Sequence, residues 1–447
     1  MPCSRSLYPL LEGWLAALGV APHRTGRAAL AHLLTALLVA QSLQPTRLLR
    51  ALLSPLAVPA RQRYTRLQRL LASPWLTPAW LTPQLVRGAL ALQSREAATL
   101  ALDSVRTGPW DSFTVGLCGH ARTQLLAWLV LPFPWPKGAV PRTVRALLAQ
   151  LAACWPAWAP RPHLVADRLF ASYALLAQLG PLRWGYTLRL RANQIVTVDG
   201  VARRVRALLQ ELPPEGWTLV EAAYGQGPRA VPGRLVIGRG LPVLAWHQRD
   251  GGSARARQRR QRARAHDAGY GRKDRPTAAA ETDGWVVLFT TEPTVLGALR
   301  RYGQRYGAEG SYRDLQSGWD GRHGWDLEPV ATRQATAARV AALLSLCALG
   351  QLVQHWVGSQ VEHPAAAGPA RWLAHAWTVH GRLSVWARGR LVFELRDHQL
   401  AGWLTATLQQ GTAALQAAPV ARVGPRPLRP ATPTRACAAA VPLAAAA

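Results

Sequence analysis

Apolar residues recur at helical spacing through the first part of the chain. The runs RAALAHLLTALLVAQSLQ, TRLLRALLSPL and RQRYTRLQRLLASPWL lie within residues 24–95 and are separated by proline. This periodicity predicts amphipathic helices, and proline indicates where each one ends. We predict a helical domain over residues 1–95. Its arginines suit either a phosphate backbone or a solvated face, and they are Arg47, Arg50, Arg61, Arg63, Arg66 and Arg69.

From residue 96 the pattern changes to strands that alternate with helices. The runs ATLALDSVR, DSFTVGLCGH and TQLLAWLVLPF precede the helical TVRALLAQLAACW, and HLVADRLF precedes ASYALLAQLG and the strand-like WGYTLRLRAN. A further strand, WVVLFTTEP, leads into the helix that carries Glu309. Such alternation predicts an α/β core, which we assign to residues 96–194 and 284–330.

Residues 195–283 interrupt this core with short strand-like pieces and Gly and Pro turns. We predict a β-rich insertion built from IVTVDG, WTLVEAAY, GRLVIGRG and LPVLAWHQ. Within it, residues 253–275 contain eight arginines and one lysine and hardly any apolar side chain. Such a segment does not fold alone, so we expect a mobile loop that is either an arm gripping DNA or a solvated run.

The last part of the chain is predicted to be helical over residues 331–420. Its most apolar run, Val340–Trp356, contains Gln351, Gln354 and His355, which favours a buried helix over a membrane span. Residues 421–447 are of low complexity, and we predict a disordered tail without assigned function.

Composition indicates a polyanionic partner. Lys and Arg number 53 against 23 Asp and Glu, for a net charge of +30, and the only lysines are Lys137 and Lys273. Guanidinium groups suit bidentate phosphate contacts, although a GC-rich coding sequence would also enrich arginine. The five cysteines are far apart with no zinc-like spacing, and the N-terminus lacks a convincing signal peptide, so we expect a cytoplasmic protein.

Three acids are candidates for chemistry. Asp103 follows the apolar run LAL and Asp167 follows LVA, so each is expected where a strand ends; either could also be a turn or cap residue. At about 100° per residue, Tyr302, Arg305, Glu309 and Gln316 share one helix face, which is either the wall of a polar site or a solvated stripe. Converged carboxylates repel one another unless cations neutralise them, and two Mg²⁺ or Mn²⁺ ions would do so.

A family resemblance rests on the spacing Tyr302, two residues, Arg305, three residues, Glu309, six residues and position 316. This resembles the Y-(2)-R-(3)-E-(6)-K signature of bacterial insertion-sequence DDE transposases of the insertion-sequence-4-like, hairpin-forming, cut-and-paste kind. LALDSVR, VADRLF and WVVLFTTEP are similar to other parts of the family pattern, and order and spacing agree over roughly residues 25–400. The resemblance implies a ribonuclease H-like core interrupted by the β-rich insertion.

The resemblance also implies roles for individual residues. Asp103, Asp167 and Glu309 would be the catalytic metal ligands. DNA contacts would come from Tyr302, Arg305, Arg168, Trp285 and Gln316. Trp285 would hold a base flipped from the duplex, or it is simply a core aromatic. Gln316 stands where the family has lysine, so it would contact phosphate without a positive charge.

At the level of the whole protein, the resemblance implies a bacterial, nucleoid-associated enzyme. Its helical domain 1–95 would bind the terminal inverted repeats, and residues 331–420 would join two copies into a dimer. It would cleave both strands, through a hairpin, and transfer the freed ends to target DNA. Two alternatives stay open: a ribonuclease H-like nuclease without strand transfer, and an inactive or repurposed DNA-binding protein of the same fold.

Overall fold

A computed structural model describes most of the chain. The described residues are 2–21, 23–51, 59–92, 97–119, 122–211, 216–239, 285–316, 325–332, 334–361, 385–395 and 398–419. Three predictions lie outside these residues: the strand-like LPVLAWHQ, the basic loop 253–275 and the C-terminal tail 421–447.

The N-terminal region is helical, as its periodicity predicts. It contains α1 (Pro2–Leu18), α2 (Arg24–Ala40), α3 (Pro45–Ala51), α4 (Ala60–Leu71) and α5 (Pro78–Leu92). Leucine-rich faces of these helices are buried in one large core, and helix α1 also packs on the C-terminal part of the chain. Prolines lie at the first position of α3 and α5, where the missing N–H has no intrahelical partner.

The ten described strands form one sheet in the order β3-β2-β1-β4-β5-β10-β9-β8-β6-β7. The strands are β1 (Thr99–Thr107), β2 (Trp110–Cys118), β3 (Thr123–Pro132), β4 (His163–Ala166), β5 (Gly185–Arg189), β6 (Ile195–Val198), β7 (Val201–Arg204), β8 (Trp217–Tyr224), β9 (Val231–Arg239) and β10 (Trp285–Thr290). Strands β1 to β3 are an antiparallel meander, and β4 and β5 are parallel to β1. The mixed α/β architecture agrees with the sequence pattern.

The β-rich insertion is part of the core sheet rather than a separate module. Its strands β6 to β9 continue the core sheet, because β10 lies between β5 and β9 and pairs antiparallel with both. Helix α8 (Val205–Glu211) follows β7 directly. The sequence pattern indicated the strands and turns. Pairing between β9 and β10 joins residues on either side of the segment 240–284, which periodicity cannot reveal.

Helices cover both faces of the sheet. Helices α6 (Ala139–Cys154) and α7 (Tyr173–Leu182) link β3 to β4 and β4 to β5. After β10 come α9 (Val295–Gln304), α10 (Tyr306–Leu315) and the short α11 (Leu327–Val330). The C-terminal helices are α12 (Ala337–Val361), α13 (Val385–Leu395) and α14 (His398–Ala417).

Helix α12 is the buried helix that the sequence predicts. By length and composition it could cross a membrane, but 89% of its most apolar window is buried inside the protein. Its polar side chains bond to neighbouring elements: Gln351 accepts from the backbone N–H of Leu125, and Gln354 donates to Gln41. These contacts identify α12 as a core helix that joins the sheet to the N-terminal bundle.

Candidate active site

The parallel pairing of β1 and β4 brings the two aspartates to the same level of the sheet. The register pairs Leu102 with Ala166, and Asp103 and Asp167 are the next residues along the chain. Asp103 differs from its prediction: it lies within β1, which continues to Thr107 against β2, and only its pairing with β4 ends there. Asp167 follows the last residue of β4, as predicted.

Alternation along β1 determines which face of the sheet carries Asp103. Side chains two apart on a strand share a face, so Asp103 lies on the face of Ala101. Ala101 and Val165 both belong to a small buried cluster with Ala308 of α10. These small side chains bring α10 close to the sheet, and Glu309 is the next residue on that helix.

Helices α9 and α10 meet at Arg305. Its backbone is α-helical (φ −57°, ψ −32°), so the chain continues with only a local break between the two helices. Arg305 is 5% exposed although it is charged. Burial of this kind requires partners of opposite charge.

Arg305 bridges two of the three acids. Its Nη1 donates to Oδ2 of Asp103 at 2.7 Å, and its Nη2 donates to Oε1 of Glu309 at 2.8 Å. The guanidinium carbon lies 5.6 Å and 5.4 Å from the ring centres of Tyr302 and Tyr306, within cation–π range. Its Nε is buried with no hydrogen-bond partner among the described residues.

Asp167 reaches this group through Tyr302, whose hydroxyl lies 3.4 Å from Oδ1 of Asp167. Tyr302 is fully buried and packs with Leu299 of α9 and Leu288 of β10. Burial raises the pKa of Tyr302 above its ordinary value, so the phenol keeps its proton and donates to the carboxylate. Tyr302 thus connects the acid cluster to the core beneath α9.

The charges in the cluster shift one another's protonation. Burial raises the pKa of Asp103 to about 6, with smaller raising effects from Asp167 and Glu309, while Arg305 and the N–H of Ser104 oppose the shift. Burial alone would lower the pKa of Arg305, but Tyr302 and the three acids outweigh it and hold the pKa above its ordinary value. The guanidinium is therefore charged at every relevant pH.

Close packing fixes the position of α10 and hence of Glu309. A side chain at Gly307 would lie 3.2 Å from the backbone of Arg122, and one at Gly310 would meet the Arg122 side chain. The hydroxyl of Ser311 accepts from the N–H of Thr123 and donates to carbonyl oxygens, including that of Thr123. Asp314 forms a salt bridge with Arg122. The glycines that weaken this helix in isolation allow its contact with the start of β3.

The remaining predicted site residues are Arg168, Trp285 and Gln316. The backbone oxygen of Arg168 accepts from Nε of Arg191 at 2.8 Å. Trp285 is 7% exposed and starts β10, so both of its interpretations stay predictions. Gln316 lies just past the end of α10 and donates to the backbone oxygen of Arg106 at 3.0 Å.

The structure adds residues that sequence reasoning missed. Arg189 ends β5, one strand from Asp167, and its charge acts on both Tyr302 and Tyr306. Tyr312 of α10 bonds the hydroxyl of Thr114, the residue opposite Asp103 on β2. Arg189 could have been found from the sequence, because it follows the strand-like YTL just as Asp167 follows LVA, and neighbouring parallel strands end at the same edge of a sheet. Nothing in the sequence indicated Thr114.

Asp103, Asp167 and Glu309 all offer carboxylate oxygens, which are the type of ligand that a hard divalent cation prefers. Within the described part of the chain, however, no group of three or more His, Cys, Asp or Glu side chains is arranged to hold a metal ion. The guanidinium of Arg305 bonds Asp103 and Glu309, and so neutralises part of their charge.

No family model matches the chain, and no curated protein matches it. Among solved structures, the chain is similar to a piggyBac transposase in a synaptic complex with hairpin DNA. The two share 12% sequence identity, with 91% of this chain and 82% of that chain covered, at a TM-score of 0.38. This likeness is too weak to assign a fold or a function, so the family resemblance of the YREK-like spacing stays a prediction.

Proposed function

We propose that this protein is a DDE-type DNA transposase that cleaves and joins DNA with divalent metal ions. The observation that carries the proposal is that the buried Arg305 bonds both Asp103 and Glu309, while the charge of Asp167 also acts on it. The three acids are 64 and 142 residues apart along the chain, yet all three charges act on one guanidinium. A purely structural role would not need three acids at one place.

In the proposed reaction, Asp103, Asp167 and Glu309 supply the oxygen ligands for Mg²⁺ or Mn²⁺. The chemistry that such ions would supply there is activation of a water or a 3′-hydroxyl and stabilisation of the charge on the phosphate. The charge of +30 offsets the repulsion between DNA and the acids. Arg305, Tyr302 and Arg189 then orient the phosphate near the cleaved end.

We also propose that β1 to β5 with α9 and α10 form the ribonuclease H-like core that the resemblance implies. Support comes from the meander followed by two parallel strands, and from the place of β6 to β9 in the chain between Asp167 and Glu309. By the same proposal, α1 to α5 bind the terminal inverted repeats. The proposal also includes a hairpin intermediate, a dimer formed through the C-terminal helices, and transfer of the cleaved ends to target DNA.

A cleavage assay tests the site. The substrate is end-labelled DNA from both sides of the gene, chosen to include any short inverted repeats there, incubated with Mg²⁺ or with EDTA. We expect Mg²⁺-dependent cleavage by the wild type and a loss of at least about a hundredfold in Asp167→Asn, since even changes that only orient metal ligands cost about 10–100-fold. Asp199→Asn is the matched control. Asp199 is exposed, and its φ of 50° suits asparagine.

Equal cleavage by Asp167→Asn and the wild type would remove the site assignment. A precleaved end with a 3′-hydroxyl, offered with plasmid target, separates a transposase from a nuclease, since only a transposase yields joined product.

One observation favours an inactive DNA-binding protein as the second candidate. The residue at the lysine position of the resembled signature, Gln316, is uncharged and its amide is engaged by the backbone of Arg106. DNA binding without cleavage by the wild type would support that candidate.

A further inference from the structure

Residues 167–172, which we call the Asp167 loop, are fixed at both ends. The loop begins directly after β4, and Ser172 caps α7 by accepting from the N–H of Leu175 at 3.3 Å. Inside the loop, the N–H of Phe170 donates to the carbonyl oxygen of Asp167 at 3.0 Å. Oδ1 of Asp167 lies 3.4 Å from the hydroxyl of Tyr302, a long contact for two oxygens. A small shift of the loop would therefore break the link between Asp167 and Tyr302.

A neighbouring turn, residues 191–194, holds the middle of the Asp167 loop. Nε of Arg191 donates to the carbonyl oxygen of Arg168 at 2.8 Å, and Nε2 of Gln194 donates to the carbonyl oxygen of Ala171 at 2.6 Å. The turn is itself closed by the amide of Gln194, whose Oε1 accepts from the backbone N–H of Arg191 at 2.7 Å. Two backbone carbonyl groups of the loop thus depend on one turn.

Elements of the β-rich insertion fix this turn in place. Nε2 of Gln194 also donates to the hydroxyl of Tyr224, at the end of β8, at 3.0 Å. At the start of α8, the backbone N–H groups of Val205 and Arg206 donate to the carbonyl oxygens of Gln194 and Ala192, each at 2.9 Å. Both N–H groups of the Gln194 amide and its oxygen are therefore engaged. Gln194 is the residue at which the insertion and the Asp167 loop meet.

We propose that Gln194 is a positioning residue for Asp167, so that the β-rich insertion sets where this carboxylate lies in the acid cluster. This inference rests on the proposed function. Gln194 acts through the carbonyl group of Ala171: without its N–H donor, the second half of the Asp167 loop loses the bond that holds it to the turn. A misplacement of about 1 Å at a reacting group costs about a hundredfold in rate.

The proposal predicts an effect on the rate of cleavage and not on DNA affinity. Gln194 is uncharged, and affinity for DNA comes mainly from charged contacts with phosphate. Gln194 is also a better position for the test than Arg191, because a guanidinium can itself bind phosphate. A role limited to stability would lower the free energy of unfolding and leave the cleavage rate of the folded protein unchanged.

The test compares the full-length wild type with Gln194→Met, which has a similar length and shape but no N–H donor. Single-turnover cleavage is measured at saturating concentration with the end-labelled DNA of the cleavage assay, and the Kd for the same DNA is measured separately. We expect the rate to fall about tenfold or more, while Kd stays within about twofold of the wild type.

Hydrogen exchange supplies a readout that does not depend on cleavage. Amides within residues 168–172 should exchange about tenfold faster in Gln194→Met, because the loop opens more often, whereas exchange in β4 should stay unchanged. Asn193→Ala is the matched control, since it removes the exposed amide next to Gln194 in the same turn. It should leave both the exchange of the loop and the cleavage rate within about twofold of the wild type.

A second variant covers the case in which Gln194→Met does not fold. Gln194→Glu keeps an oxygen that can accept from the N–H of Arg191, but it places a carboxylate oxygen against the carbonyl oxygen of Ala171. We expect it to lose at least as much cleavage rate as Gln194→Met. Urea unfolding confirms that each variant is folded under the conditions of the assay.

The outcomes separate this inference from the proposed function. If the folded variants cleave at the wild-type rate, or exchange in the Asp167 loop is unchanged, the positioning role is wrong and the proposed function stands. If rate and DNA affinity fall together, Gln194 acts in DNA binding and the positioning role is again wrong. If the wild type itself does not cleave the DNA, the proposed function and the role of Gln194 in it are both wrong.

Discussion

The acid cluster shows how individual residues make an otherwise costly arrangement stable. A buried carboxylate and a buried guanidinium are each unfavourable alone, and each becomes tolerable when it is paired and hydrogen-bonded. Asp103 and Arg305 meet this condition at 2.7 Å. The spacing of Tyr302, Arg305 and Glu309 predicted a shared helix face, and Arg305 contacts Glu309 and lies 5.6 Å from the ring centre of Tyr302. The spacing could not show that Arg305 would bond Asp103, because that contact joins residues 202 apart in sequence.

A second buried polar group, around His163, fixes the opposite end of the same strands. Nδ1 of His163 lies 3.3 Å from Oε1 of Glu292, which also accepts from Nε of Arg301 at 3.0 Å. Its Nε2 is 2.8 Å from the hydroxyl of Thr187. Burial and the charge of Arg301 lower the pKa of His163 to about 3, so the ring is neutral in the folded protein.

This network predicts a pH dependence of stability. The unfolded chain takes up a proton on His163 near the ordinary pKa of 6.5, whereas the folded protein does so only near 3. The unfolded state therefore binds more protons between these values, and stability must fall as the pH drops through that window. We expect a loss of about 3 kcal/mol from pH 7 to pH 4 at this site, to order of magnitude.

Urea unfolding at pH 7, 5 and 4 measures this effect, with His163→Gln as the comparison. Glutamine can donate to Glu292 and does not titrate, so the variant should lose less stability than the wild type as the pH falls. Identical pH profiles for the two proteins would show that His163 does not titrate in this way.

At the level of elements, the contact between α10 and the start of β3 positions Glu309. Sequence analysis predicted a single helix here. The helix is instead two helices that meet at Arg305, and two of the glycines face Arg122. Glycine in a helix was thus an indication of close packing, which could be interpreted only once the neighbouring element was known.

Gly307→Ala tests this packing. In an open helix, replacing Gly by Ala stabilises by about 1 kcal/mol. At position 307 the new methyl group would lie 3.2 Å from the Arg122 backbone, so α10 must move away by a few tenths of an ångström. We expect no gain in stability, and a loss of about 1 kcal/mol if the contact with Arg122 is strained.

The matched control is Gly402→Ala in α14, an exposed position where nothing lies within 4 Å of the added methyl group. This variant should gain about 0.5–1 kcal/mol. Both free energies of unfolding come from urea titrations at pH 7. A gain of the same size at both positions would contradict the close approach of α10 to Arg122.

At the scale of the whole molecule, one short segment connects α10 to the N-terminal bundle. Trp325 is fully buried; its backbone N–H donates to the carbonyl oxygen of Asp314, and its ring N–H donates to Gln41 of α2. The next residue, Asp326, accepts from the hydroxyl of Ser42. The sequence predicted the bundle and the core separately, because local periodicity carries no information about such long-range contacts.

The bundle also exposes its most basic helix. Helix α4 carries Arg61, Arg63, Arg66 and Arg69, with the first and the last two exposed, while Leu67 and Leu71 face the core. Tyr64 on the same helix is 45% exposed. The helix is apolar on one side and carries arginines on the other, which fits either a phosphate-binding face or a solvated face. The salt dependence of DNA binding distinguishes these two interpretations.

If α4 binds phosphate, changing its four arginines to glutamine should lower the salt dependence of DNA binding. Each phosphate contact adds about 0.9 to the slope of log K against log salt, so we expect the slope to fall by about 3 to 4 units.

The control changes four other exposed arginines, Arg142, Arg145, Arg161 and Arg183, on and around α6 and α7. It removes the same charge and should lower the slope by less than about 1 unit. Affinities for a fluorescent inverted-repeat duplex at 50–200 mM salt supply the slopes. Equal slopes for the two quadruple variants would mean that α4 contributes only its charge, and the solvated interpretation would then be correct.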